Sequence, residues 1–379
     1  MTMLLNEEQR LLRDSAQGLL AARAPVAALR RLRDTRDPLG YDPALWGEVA
    51  AMGWTAAVVP EAWGGLDFGY KGLGAVFEQA GRTLAALPLL SSVVLGAGLL
   101  LEAGSDAQRA AWLPGIVAGE QLLALALEEA PRHDPSGIAT QAVPSGDGWE
   151  LSGEKWFVLD GHIADCLIVV ARSAGEPGDA EGIGLFLVDP RAPGVSVERT
   201  WMVDARNAAR VRLERVRVGP EAVLGTPGAG HAALETVLDR ARICLAAETL
   251  GVVREAFERT VAYLKQRVQF EVPIGSFQAL QHRAARLYTA IELAHSCVAA
   301  ALDAIDTGAA DLPLLASLAK ASTADLSEKA LNEAIQMHGG IGVTDELDIG
   351  LFLKRGRVLQ QCLGDGVYHR ARYAGLKGF

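Results

Sequence analysis

The chain has 379 residues, 50% of them hydrophobic, with 46 acidic side chains against 36 basic ones and a formal net charge of -10. That apolar content is enough for two or three domains with real cores, and it excludes disorder as the dominant state. The acidic balance argues against a nucleic-acid partner, because affinity for a polyanion rests on cationic contacts to phosphate.

The N-terminal stretch lacks the basic-then-apolar order of a signal peptide. It predicts a helix start instead, with Asn6 as cap, Gln9 three residues on and acids in the first turn. Leu11, Leu12, Ala16, Leu19 and Leu20 then recur at helical steps. The long uncharged stretch from Leu84 to Leu101 is interrupted by Pro88, Ser91, Ser92, Gly96 and Gly98, so it reads as a buried helix rather than a membrane span. After about Leu123 short apolar runs separated by Gly, Pro and Asp predict strands near Trp149–Gly153, Cys166–Ala171, Gly184–Asp189 and Val195–Arg199. Between Leu213 and Val216 the alternation slips by one residue, which predicts a bulge. The helical period returns in long segments near Ala232–Arg267, Phe277–Asp306, Leu312–His338 and Asp345–Gln361. The expected fold is therefore an α+β multidomain chain. An N-terminal all-α domain (1–122) precedes a middle β-barrel or sandwich domain (123–228) and a C-terminal four-helix bundle (229–379).

Cys166, Cys244, Cys297 and Cys362 are far apart, and no Cys-x-x-Cys or His-Glu-x-x-His occurs, so neither a metal nor a disulfide is expected; a reduced, cytoplasmic protein follows. A dinucleotide-binding Gly-x-Gly-x-x-Gly, a phosphate loop and a Gly-x-Ser-x-Gly elbow are all missing.

Two segments stand out. In Arg267-Val-Gln-Phe270-Glu-Val-Pro-Ile-Gly-Ser-Phe-Gln278 a turn joins two long helices; the guanidinium offers a planar fork suited to a diphosphate, and Gln278 an amide at a helix start. Taken alone, the arginine reads better as a solvated helix-end charge compensating the dipole. In Gln336-Met-His-Gly339-Gly340-Ile-Gly342 three glycines at a helix end permit positive φ and close approach of a ligand to backbone, although a glycine cap and turn would have the same composition.

Together these segments resemble the acyl-CoA dehydrogenase family, whose pattern Arg-x-x-Phe-x-x-Pro-Ile-x-x-Phe-Gln is followed some sixty residues later by Gln-x-x-Gly-Gly-x-Gly. The Val59–Gly65 loop, Leu151-Ser-Gly-Glu-Lys155 and the helix-sheet-helix order extend the resemblance over essentially the whole chain. It implies FAD at a subunit interface, an acyl-CoA substrate, a carboxylate that removes the α proton while the β hydride passes to the flavin, and an electron-transfer flavoprotein as electron acceptor. It also implies that Arg267, Phe270, Gln278, Gln336, Gly339 and Gly340 reach a neighbour's FAD, and that Phe157 takes the place of an aromatic stacking on the flavin.

Elsewhere the sequence departs from the family. The loop that usually carries flavin-binding hydroxyls is Leu127-Glu-Glu-Ala-Pro-Arg-His-Asp134, and Leu159 replaces a hydrogen-bonding residue. The usual glutamate base falls on Leu363, and the alternative seat on Ala241. Asp365, two residues on, is a candidate displaced base, and Glu248 a weaker one. Alternatively, the chain completes the FAD site of a partner that supplies the base, in a homo- or hetero-oligomer, with an α2β2 assembly favoured. An oxidase or monooxygenase on the same fold and a non-catalytic structural subunit are the other readings.

Overall fold

The computed structural model describes residues 5–379. Helices α1 (Glu7–Arg23), α2 (Val26–Asp34), α3 (Pro43–Ala51) and α4 (Tyr70–Thr83) come first. The start of α1 is the capping box expected from its sequence: Gln9 N donates to the Asn6 side chain at 2.8 Å, and Asn6 N donates to the Gln9 side chain at 3.0 Å. The uncharged stretch that follows forms a wide π-type segment, Leu89–Ala97, running into α5 (Gly98–Ala103) and then α6 (Asp106–Val117). Every residue of Leu89–Ala97 is buried, and among the described residues no helix is long and apolar enough to cross a membrane.

Strands β1 (Leu123–Ala126), β2 (Gln141–Ser145), β3 (Gly148–Leu159), β4 (Cys166–Arg172), β5 (Ile183–Val188), β6 (Val195–Trp201), β7 (Asn207–Val218) and β8 (Val223–Leu224) form one eight-stranded sheet. Its order is β6-β7-β3-β2-β4-β5-β8, with β1 parallel to β4. Alternate side chains, among them Leu151, Val169, Phe186, Val211 and Val216, point into one apolar core. The expected bulge is present: Leu151 pairs with Val216 and Gly153 with Leu213, so β7 carries one extra residue, and Arg215 takes φ 52. A second bulge lies on β3, where Lys155 pairs with Val211 but Val158 with Ala209.

Helix α7 (His231–Gln266) leads to a hairpin, β9 (Val268–Gln269) and β10 (Val272–Pro273), and then to α8 (Gln278–Asp306), α9 (Leu312–His338), α10 (Ile349–Gln361) and α11 (Gly366–Leu376). The four long helices lie where the periodicity put them. The short α11 had no apolar stripe long enough to announce it; Asp365, proposed from sequence as a base, is its N-cap.

By compactness the chain forms two units. One contains residues 5–34, Tyr70–Ala86 and Arg242–Phe379; the other contains Thr35–Gly69 and Leu87–Ala241. Within the first, α4 crosses α7 backbone to backbone. A Cβ on Gly81 would meet the Glu248 carbonyl oxygen at 2.1 Å, and one on Gly251 the Glu78 carbonyl oxygen at 1.9 Å. In an open helix Gly→Ala gains about 1 kcal/mol. At this crossing the added methyl must push the helices apart, so Gly251→Ala is expected to lose about 2 kcal/mol in urea unfolding. A stabilised variant would contradict the close crossing.

Candidate functional site

Three groups of the predicted residues converge at one end of the helical unit. Arg267 follows the last turn of α7, Gln278 opens α8, and Gln336, Gly339 and Gly340 close α9. Two contacts hold these ends together: the Tyr263 and His338 rings lie 4.5 Å apart, and Arg283 on α8 forms an ion pair with Glu333 on α9. The hairpin between Arg267 and Gln278 turns through Phe270 and Glu271, whose φ values are 56 and 66, with Gln269 paired to Val272. Two successive positive φ angles are those of a type I′ turn, which glycine or asparagine normally fills, so this turn carries backbone strain. It leaves the Phe270 ring 85% exposed, edge-on to Phe277 at 6.0 Å.

This end of the unit suits an anionic ligand brought from outside the chain. Arg267 and Gln278 are exposed, and among the described residues the Arg267 side chain has no partner. Gly339 adopts φ 67 and ψ -146, which only glycine takes readily, and a Cβ on Gly340 would find no heavy atom within 4 Å. An unpartnered guanidinium, the first turn of a long helix and an open glycine pair are donors and space that a diphosphate can use. The residues present therefore fit the dinucleotide end of FAD.

The turn after these glycines is braced by a charge network that the sequence did not announce. Asp345 accepts from Arg33 at 2.7 and 2.8 Å and from Arg30 at 3.0 Å. Asp348 accepts from Arg30 at 2.8 Å and from Arg259 at 2.9 Å. The hydrogen bond from Arg33, together with its charge, holds the Asp345 carboxyl well below the usual carboxylate range.

In the second unit Phe157 occupies the β3 bulge with φ 52 and is partly exposed, edge-on to Trp156 at 6.3 Å. Strain at an exposed aromatic suits a residue that presents a ring. The nearby Leu127–Asp134 loop, in which no flavin-binding hydroxyl could be placed, is pinned by a different means. Lys155, wholly buried, donates to Glu129 at 2.6 Å and to the Leu127 carbonyl at 3.2 Å, while Glu129 also accepts from Ala139 N and Thr140 N. Leu159 pairs with Ala208 in the sheet.

The seat expected for the base is closed by hydrophobic and cationic side chains. Leu363 is buried and takes φ 54 at the end of α10. Its carbonyl oxygen lies 3.0 Å from His369 Nε2 and 3.4 Å from Arg242 Nε. Lys320, also wholly buried, donates to the Leu359, Gln360 and Gly364 carbonyls at 2.8, 3.3 and 2.9 Å. The cations here serve main-chain oxygens at a helix C-terminus. Asp365 accepts from Tyr368 N at 2.7 Å as the α11 cap. Glu248 forms a buried two-point ion pair with Arg355 at 2.8 and 2.9 Å, and Ala241 is buried. No periodic signal distinguishes Lys320 or Arg242 from solvated helix charges, so sequence reasoning missed both.

Burial pushes the Lys320 ammonium down from an ordinary 10.5 to about 8. Between those values the unfolded chain holds the proton and the folded chain does not, so folding gains stability as pH rises through this window. Wild type is accordingly expected to gain on Lys320→Met by ~1.4 kcal/mol per pH unit between pH 8 and 10.5 in paired denaturation curves. A pH-independent difference would contradict the buried titration.

Comparison with known proteins accounts for nearly the whole chain. Models of the acyl-CoA dehydrogenase N-terminal, middle and C-terminal domains match residues 6–120, 124–216 and 228–374. The chain is 33% identical over 358 residues to the acyl-CoA dehydrogenase IpdE2 of Mycobacterium tuberculosis, covering 94% of this chain and 93% of the relative. Among solved structures it is similar to a variant of the Tcur3481–Tcur3483 steroid ACAD, with TM-score 0.87 and 35% identity over 98% of both chains. It is also similar to the ChsE4–ChsE5 complex from Mycobacterium tuberculosis, with TM-score 0.89 and 25% identity over 100% of this chain and 99% of that one.

Proposed function

The chain belongs to the acyl-CoA dehydrogenase family of flavin oxidoreductases, and on that premise we propose that it is one subunit of a heteromeric dehydrogenase, completing the FAD site of a partner chain that supplies the base. The observation that carries this reading is the contrast between two parts of the helical unit. The donors at the Arg267, Gln278 and Gly339–Gly340 end face outward without a protein partner for the guanidinium. Leucine stands at the position where the resemblance places the base, and Lys320 and Arg242 bind carbonyls of that turn. Both nearby acids have other work, Asp365 as a helix cap and Glu248 in an ion pair.

In this reading a bound FAD would supply the acceptor for the hydride leaving the acyl-CoA β carbon, and an electron-transfer flavoprotein would take the electrons onward. Arg267 and the first turn of α8 bind the diphosphate, and Gln336 with the glycine pair accommodates the rest of the dinucleotide's adenine half. Phe270 and Phe277 cover part of the interface with apolar surface. Two solved relatives carry two chain names each, Tcur3481–Tcur3483 and ChsE4–ChsE5, which supports a two-chain assembly here. The first is called a steroid ACAD, which favours a bulky ring-bearing acyl group as substrate.

Co-expression with the dehydrogenase homologues encoded nearby tests the proposal. One of them is expected to co-purify with this chain as a flavin-containing complex. Arg267→Ala should then weaken FAD retention by about 2–3 kcal/mol, the scale of a charge-assisted contact to phosphate, without dissolving the complex. Unchanged FAD content in that variant removes the assignment of Arg267, and a homomeric chain with full FAD occupancy overturns the heteromer.

A further inference from the structure

A cavity lies in the helical unit among α1, α4, α7 and α8, with a volume of ≈ 500 Å³. The space arises because the helices meet there through small residues, Gly74 and Ala75 on α4, Ala247 on α7 and Ala299 on α8. Leu250, Val298 and Leu302 form an apolar wall. The rest of the lining is charged, with Arg10, Arg13, Lys71, Arg82 and Arg254 beside Glu78 and Glu258, and Arg13 is paired with Asp14 at 2.8 Å. Ion pairs occupy most of these groups. Lys71 is paired with Asp303 at 2.9 Å, Arg254 with Glu292 at 3.0 Å, and Arg82 with Glu255 at 3.0 Å and with Glu258.

Four polar lining residues are left over. The side chains of Arg10, Gln17, Gln79 and His295 have no partner among the described residues. Gln79 matters most, since it is only 7% exposed. Its amide makes no hydrogen bond within the protein yet stays open to solvent through the cavity, where a ligand can take the place of water. Here the side chain lines a space that lies within the size range of small-molecule sites.

We propose that this cavity binds a small amphipathic anion, with an apolar body against Leu250, Val298 and Leu302 and a carboxylate-type head held by Arg10 and the Gln79 amide. Arg10, the one lining cation without an ion pair among the described residues, sets the sign of the ligand, and the apolar wall excludes a bare inorganic ion as the best fit. The site is independent of the FAD rim, because none of its lining residues belongs to that set. Occupancy would tie α1 and α4 to α7 and α8, so binding reads out as stability.

The test uses the purified, flavin-containing protein with octanoate as probe, acetate as head alone and octanol as body alone. Octanoate is expected to bind saturably by calorimetry and to raise the melting temperature, whereas acetate and octanol at the same concentration do neither. Arg10→Gln, an exposed change that leaves the fold intact, should weaken octanoate at least tenfold, as should Gln79→Leu, with FAD content unchanged in both. Absence of saturable octanoate binding overturns the proposal. So does binding that is equal in wild type and Arg10→Gln, or acetate binding as tight as octanoate binding.

Discussion

The contact on which the helical unit depends is the crossing of α4 over α7 at Gly81 and Gly251, where each helix presents bare backbone to the other's carbonyl oxygens. Close approach brings α4 side chains into register with those of α7, so that Arg82 reaches Glu255 and Glu258, and Glu78 reaches Arg254. With α4 fixed there, α1 packs against it and α8 closes on its other side through Leu302 at Gly74. The side cavity is a product of the same geometry, since helices that touch through glycine and alanine leave room wherever larger residues do not fill it.

A second constraint acts at the far end of α10. A helix that stops in the interior leaves carbonyl oxygens needing donors, and burying them unpaired would cost more than burying a lysine that satisfies three at once. Lys320 does this for Leu359, Gln360 and Gly364. The arrangement matters for chemistry because it forms at the turn where the resemblance to the family places the base. With leucine at that position, the buried cations stabilise backbone, not a developing negative charge.

Much of the fold was legible because it follows from local rules. The Asn6–Gln9 capping box, the four long helices and the bulge after Leu213 each come from spacing within a few residues, and each is found in place. The segments around Arg267 and Gly339 stood out for a different reason, since each alone has a bland reading and only their joint spacing resembles the family; the strained Phe270–Glu271 turn between them left no mark in composition. What could not be read was burial of charge. Lys155, Lys320, Arg242 and the Glu248–Arg355 pair look like solvated helix or strand charges in sequence, and only tertiary packing encloses them. The role of Asp365 was obscured likewise, because the short α11 that it caps has too little periodicity to be recognised.

The central claim is that this chain contributes to a flavin site and leaves the proton abstraction to a partner. Anaerobic bleaching of the flavin by acyl-CoA measures that directly when the lone chain supplied with free FAD is compared with its co-purified complex. The account predicts bleaching by the complex alone, unchanged when this chain carries Asp365→Asn. Bleaching by the lone chain that disappears in Asp365→Asn would contradict it.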